Sequence, residues 1–128
     1  MIAEDNCKIL NKTKGKLPSL PFVPIKNAIL GKEYDLSIAC VSPLQSRKLN
    51  RSFRKIDSPT NILSFPLSKT SGEIVFQLDK VRKDAKNFDL TYPKFLKLLV
   101  IHGLLHLKGF EHSSIMEREE KKFLKRFS

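Results

Sequence analysis

Between Asp35 and Val41 the apolar residues Leu36, Ile38 and Cys40 alternate with their neighbours, the period of a strand with one buried face. Ser42-Pro43-Leu44-Gln45 then reads as a capping box with proline at the first helical position, opening a helix that runs to about Phe53. Ser58-Pro59-Thr60 is a turn, Asn61 to Phe65 a short strand closed by Pro66, and Glu73 to Gln77 another strand after Gly72. Leu78, Val81, Ala85 and Phe88 repeat at helical spacing. Thr91 before Tyr92-Pro93 starts the main apolar helix, which Gly109 should end. Ser114-Ile115-Met116-Glu117 is a second capping box, and Ile115, Phe123, Leu124 and Phe127 give the last helix an apolar side. The first 34 residues are less patterned: Pro18, Pro21 and Pro24 punctuate them, and Phe22 to Leu30 make one short helix ending at Gly31. These elements predict an α+β domain in which one small mixed sheet is packed by helices. Periodicity does not set the strand order.

A chain of 128 residues with 41% hydrophobic residues can bury one modest core, and no repeat, low-complexity tract or linker divides it, so residues 1–128 are expected to form a single domain. Cys7 and Cys40 lie far apart with no Cys-x-x-Cys spacing, and the opening residues lack the pattern of a secretory signal. The expectation is a reduced, cytoplasmic protein. The most apolar stretch, Phe95 to Leu107, is interrupted by Lys97, His102 and His106 and falls short of the roughly 20 residues a bilayer span needs. It reads as a core helix, with no membrane partner.

Lysine and arginine outnumber acids 24 to 13, a formal charge of +11. That excess favours polyanions such as nucleic acid or an anionic membrane surface, although a lysine-rich solvated surface gives the same number. The cations are spread along the chain. Their densest run is Arg47, Lys48, Arg51, Arg54 and Lys55, with no acid among them.

All three histidines fall within His102-Gly103-Leu104-Leu105-His106-Leu107-Lys108-Gly109-Phe110-Glu111-His112. Residues four apart share one face of a helix, so His102 and His106 can share an ion. Gly109 can take the left-handed conformation that ends a helix, and the reversal can bring His112 beside the other two. Three neutral imidazoles suit zinc, and a catalytic zinc typically keeps its fourth position for water. The site is therefore expected at the end of the main buried helix, holding one zinc per chain. Nickel or copper would suit the same ligands. In the zinc-protease pattern His-Glu-x-x-His the glutamate is the general base; here that position is Gly103. Glu111, beside the third ligand, is either a solvated turn residue or a carboxylate acting behind the metal.

These residues resemble the His-x3-His-x5-His zinc motif of the YbeY-type endoribonucleases. A second block agrees, since Leu49-Asn50-Arg51-Ser52-Phe53-Arg54-Lys55-Ile56-Asp57-Ser58-Pro59-Thr60-Asn61-Ile62-Leu63-Ser64-Phe65-Pro66 is similar to that family's Leu-Asn-x-x-Tyr-Arg-x-x-Asp-x-Pro-Thr-Asp-Val-Leu-Ser-Phe-Pro segment. Gly72-Glu73-Ile74 resembles its Gly-Asp-Ile strand. Phe53, Asn61, Glu73 and Glu111 depart mildly from the pattern. The resemblance implies a cytoplasmic, zinc-dependent enzyme that cleaves single-stranded RNA, matures ribosomal RNA including the small-subunit 3′ end, and serves ribosome quality control. Its implied partners are ribosomal RNA and ribosomal proteins, not DNA.

The resemblance also implies that Arg54 lies in the active-site cleft, where its planar fork of donors would fit phosphate oxygens. A surface arginine paired with Asp57 is the alternative. Arg47, Lys48, Arg51 and Lys55 are candidates for sequence-independent contact with the RNA backbone. Two nucleophiles stay open, water and the ribose 2′-hydroxyl. Two rivals share the histidines: a zinc peptidase, opposed by Gly103 and the basic surface, and a ribosome-associated RNA-binding protein whose zinc is not catalytic.

Overall fold

A computed structural model describes residues 2–54, 61–111 and 113–128, with side chains described at all of these except 2, 3, 53 and 54. In chain order the elements are β1 (Ile2–Glu4), β2 (Cys7–Asn11), α1 (Phe22–Leu30), β3 (Asp35–Cys40), α2 (Pro43–Arg54), β4 (Ile62–Ser68), β5 (Ser71–Phe76), α3 (Leu78–Asn87), α4 (Tyr92–Lys108) and α5 (Ser114–Arg126). The strands make one mixed sheet in the order β1-β2-β3-β5-β4. Its inner strands β2, β3 and β5 are parallel, and antiparallel β1 and β4 form the two edges. This is the expected α+β architecture.

Alternation in β3 and β5 decides the two layers. Leu36, Ile38 and Cys40 with Ile74 and Phe76 face the main core, which α1, α3, α4 and α5 complete. Val41, Leu63 and Val75 form a smaller cluster on the other face, covered in part by Leu49 of α2. Because β2, β3 and β5 run the same way, their carboxyl ends share one rim, and α2 and α3 both start from it. None of the described helices is long and apolar enough to cross a membrane.

Several boundaries differ from expectation for physical reasons. The N-terminal hairpin escapes the pattern because its strands are short; Asp5 and Asn6, at φ 48 and 58, supply the two left-handed residues that a two-residue I′ turn requires. Lys26 of α1 secures that turn. It is buried and donates to the carbonyls of Asp5 at 2.7 Å and Lys32 at 2.9 Å, and burial pushes its pKa below the ordinary lysine value. Pro66 does not end β4, which continues to Ser68 with an irregular register between those residues; an edge strand tolerates the missing donor. Gln77 is no strand residue: its side chain accepts from the Lys80 amide and caps α3. In α5 the cap is Ser113, one residue earlier than expected, whose hydroxyl accepts from the Met116 amide at 3.2 Å. That shift buries Met116 and leaves Ile115 exposed. The turn expected at Ser58-Pro59-Thr60 lies outside the described residues.

Candidate metal centre and cleft

α4 supplies the site. Thr91 caps its start by accepting from the Lys94 amide, and Gly109 ends it at φ 111. The left-handed turn lets the amides of Gly109 and Phe110 return to the carbonyls of His106 and Leu105. It also carries the Phe110 carbonyl back over the last turn, where it accepts from His106 Nδ1 at 3.0 Å. His102 Nδ1 meets the Glu120 carboxylate, presented by α5.

With both Nδ1 atoms engaged by acceptors, the lone pair of each neutral ring sits on Nε2. Those two Nε2 atoms face one another at 3.0 Å, the rings edge-on with centroids 4.5 Å apart. Two lone pairs brought together repel unless a cation or proton lies between them. A metal ion satisfies the arrangement, and holding the far ring nitrogen of each ligand on a carboxylate or a backbone carbonyl is how proteins fix such ligands. The donor set therefore fits zinc. Among the described residues no group of three histidine, cysteine or acidic side chains forms a complete metal site. Two of the three expected ligands are together, and His112 lies outside the described residues.

The imidazoles open onto a cleft of about 740 Å³ walled by Ile62, Ser64 and Phe65 of β4, Glu73 and Val75 of β5, and Leu49 of α2. Gly103 lies at its floor. A Cβ there would come within 3.0 Å of Ile62 Cδ1 and Ser64 Oγ, so the helix packs directly on the sheet and any side chain at this position would have to displace both. Glycine, in place of the protease base, gives the closest fit of helix to sheet at this position.

Other expected site residues are placed unevenly. Arg47, Lys48 and Arg51 are exposed on α2, and Leu49 is the residue of that run found in the cleft wall. The α2 backbone ends at Arg54, whose side chain is outside the described set, as is Lys55. Glu111 is exposed beyond Gly109. Sequence reading missed Glu120, which is the carboxylate in contact with His102. A signal was present: Glu120 interrupts the inward row Met116, Glu120, Phe123 of an amphipathic helix, where an apolar residue would be expected.

Fold and site together define an α+β domain with paired imidazoles at the mouth of a sheet-edge cleft. The chain belongs to the endoribonuclease YbeY family, whose sequence model matches residues 21–128. It is 36% identical over 108 residues to the endoribonuclease YbeY of Aliarcobacter butzleri (strain RM4018), covering 80% of this chain and 76% of that one. The endoribonuclease YbeY of Thermotoga neapolitana is 38% identical over 109 residues, with coverage of 82% and 73%. The solution structure of TM1509 from Thermotoga maritima superposes with a TM-score of 0.66 at 31% identity, covering 94% of this chain and 88% of that one.

Proposed function

We propose that this protein is a zinc-dependent endoribonuclease specific for single-stranded RNA, acting in ribosomal RNA processing, including the small-subunit 3′ end, and in ribosome quality control. Membership of the endoribonuclease family supports the RNA-cleaving activity. The observation that carries the metal is the meeting of His102 and His106 Nε2 atoms with both Nδ1 atoms already engaged. His112 completes the ligand set on this reading. A zinc ion so held supplies Lewis acidity and lowers the pKa of nearby water.

The chain's own residues do the rest. Glu120 and the Phe110 carbonyl fix the ligand tautomers. Arg54 grips the scissile phosphate and offsets charge gathering on its oxygens. Arg47, Lys48, Arg51 and Lys55 attract the RNA backbone without reading sequence. The whole of 1–128 works as one domain, in the cytoplasm, on single-stranded and ribosomal RNA and not on DNA, with ribosomal proteins as partners.

The test is cleavage of a labelled single-stranded RNA, with zinc content measured alongside. Wild-type protein should carry one zinc and cut; His106→Ala should lose both zinc and cleavage. Full zinc retention by His106→Ala would sink the ligand assignment. A wild-type protein that binds RNA and zinc without cutting would make it a ribosome-associated RNA-binding protein.

A further inference from the structure

The rim formed by the carboxyl ends of the parallel strands carries a second basic surface, distant from the histidines. Three adjoining depressions share their walls there. The first lies beside the β2–α1 loop with Lys12, Lys14 and Lys16; the second runs along α3 past Lys83 and Lys86; the third reaches Tyr92 at the start of α4. Arg82 lines all three.

Charge there is strongly one-signed. The acids in these walls are Asp79 and Asp84, and each is already paired, with Arg82 at 3.6 Å and Lys80 at 3.3 Å. Lys12, Lys14, Lys16, Lys83 and Lys86 are exposed and form no ion pair with a described residue. Their charge is left for a ligand.

An aromatic ring also lines the groove. The Arg82 guanidinium lies over the Tyr92 ring at 5.3 Å from its centroid, with the arginine side chain about half exposed. Tyr92 donates its hydroxyl hydrogen to the Lys16 carbonyl at 3.2 Å, which ties the lysine loop to the start of α4. A guanidinium over an aromatic ring, flanked by lysines, is the chemistry that holds single-stranded nucleic acid, offering planar groups to bases while tracking phosphates.

Its position relates it to the cleft. Tyr92 and Gly103 are eleven residues apart, close to three full turns, so they lie on one side of α4 about 16 Å apart along its axis. Resting on the RNA-cleaving reading above, we infer that this groove binds the same single strand several nucleotides from the scissile bond. Lys12, Lys14, Lys16 and Lys83 hold its phosphates and Arg82 on Tyr92 stacks a base. Basic ribosomal proteins would be repelled from it, which favours RNA as the occupant.

The experiment measures binding by the full, zinc-loaded chain. The probes are fluorescent 2′-O-methyl single-stranded RNAs, which lack the free 2′-hydroxyl, of about 5 and about 20 nucleotides, titrated at several salt concentrations. A triple variant Lys12→Gln, Lys14→Gln, Lys16→Gln should lose tenfold or more affinity for the long strand, with the salt slope reduced by about two. Its affinity for the short strand should stay at the wild-type value. Arg82→Gln should weaken the long strand alone as well. The control is Lys8→Gln, Lys121→Gln, Lys125→Gln, which removes equal charge from exposed positions elsewhere and should leave both affinities unchanged. A long-strand affinity and salt slope unchanged in the first variant, or equal losses in the control, overturns the groove. Wild-type failure to cut unmodified RNA would instead count against the nuclease reading, and the binding data would still decide the groove.

Discussion

A lysine at position 54 keeps the charge of the arginine and loses its planar fork, so the pair Arg54→Ala and Arg54→Lys separates geometry from charge. Arg54→Ala should lose about 10²–10³ in turnover at saturating RNA with zinc still bound, and Arg54→Lys should recover little. Arg51→Ala, which removes an exposed cation of α2, should act on affinity instead. Near-normal turnover by Arg54→Ala would make this arginine a surface residue. Glu120 is expected to act through His102 and not on RNA. Glu120→Ala should weaken zinc binding by about 10–100-fold in a competition titration, because the imidazole loses the partner that fixes its tautomer. An unchanged zinc affinity would reduce Glu120 to a bystander. The contrast between Glu111 and Glu120 is instructive. Adjacency to His112 in sequence suggested Glu111, but the chain leaves it in solvent; the carboxylate that reaches His102 comes from the next helix.

At the scale of elements, the close approach of α4 to β5 depends on Gly72. A Cβ at that position would stand 2.5 Å from Tyr34 Oη and 3.0 Å from the Leu107 side chain. Gly72→Ala should therefore cost about 1–3 kcal/mol in urea unfolding. Tyr34 Oη is buried without a hydrogen-bond partner among the described residues, so Tyr34→Phe alone should cost little or even stabilise. The double variant should recover part of the Gly72→Ala loss, and strict additivity would show that the clash lies elsewhere. The helices and the inner strands β3 and β5 were legible because their burial follows period 3.6 or period 2 in the sequence, whereas β2, also an inner strand, was not read. Element boundaries were less legible. Whether Ser113 or Ser114 caps α5 depends on which one places Met116 or Ile115 against α4, and both sequences of events satisfy a capping pattern.

At the scale of the molecule, Cys7 and Cys40 report on global opening. Both are fully buried, and burial pushes the Cys40 thiol up to about 11 and raises that of Cys7. A raised pKa keeps the thiol protonated at pH 8, so neither should react with an alkylating reagent until the fold opens. Chelating the metal should abolish RNA cleavage and leave alkylation slow. Rapid labelling of both thiols after chelation would mean that zinc holds the fold together as well. The sequence by itself determined the α+β class, the helix carrying the histidines, the turn at Gly109 and the absence of a glutamate at position 103, because each rests on spacing within a few residues. Tertiary structure alone decided the strand order, the contact of Glu120 with His102, the close packing of position 103 on the sheet, and the gathering of Lys12, Lys16, Arg82 and Tyr92 along one rim. Those depend on which distant segments the core brings together, and a one-dimensional pattern of burial fixes the face of each element without fixing its neighbours.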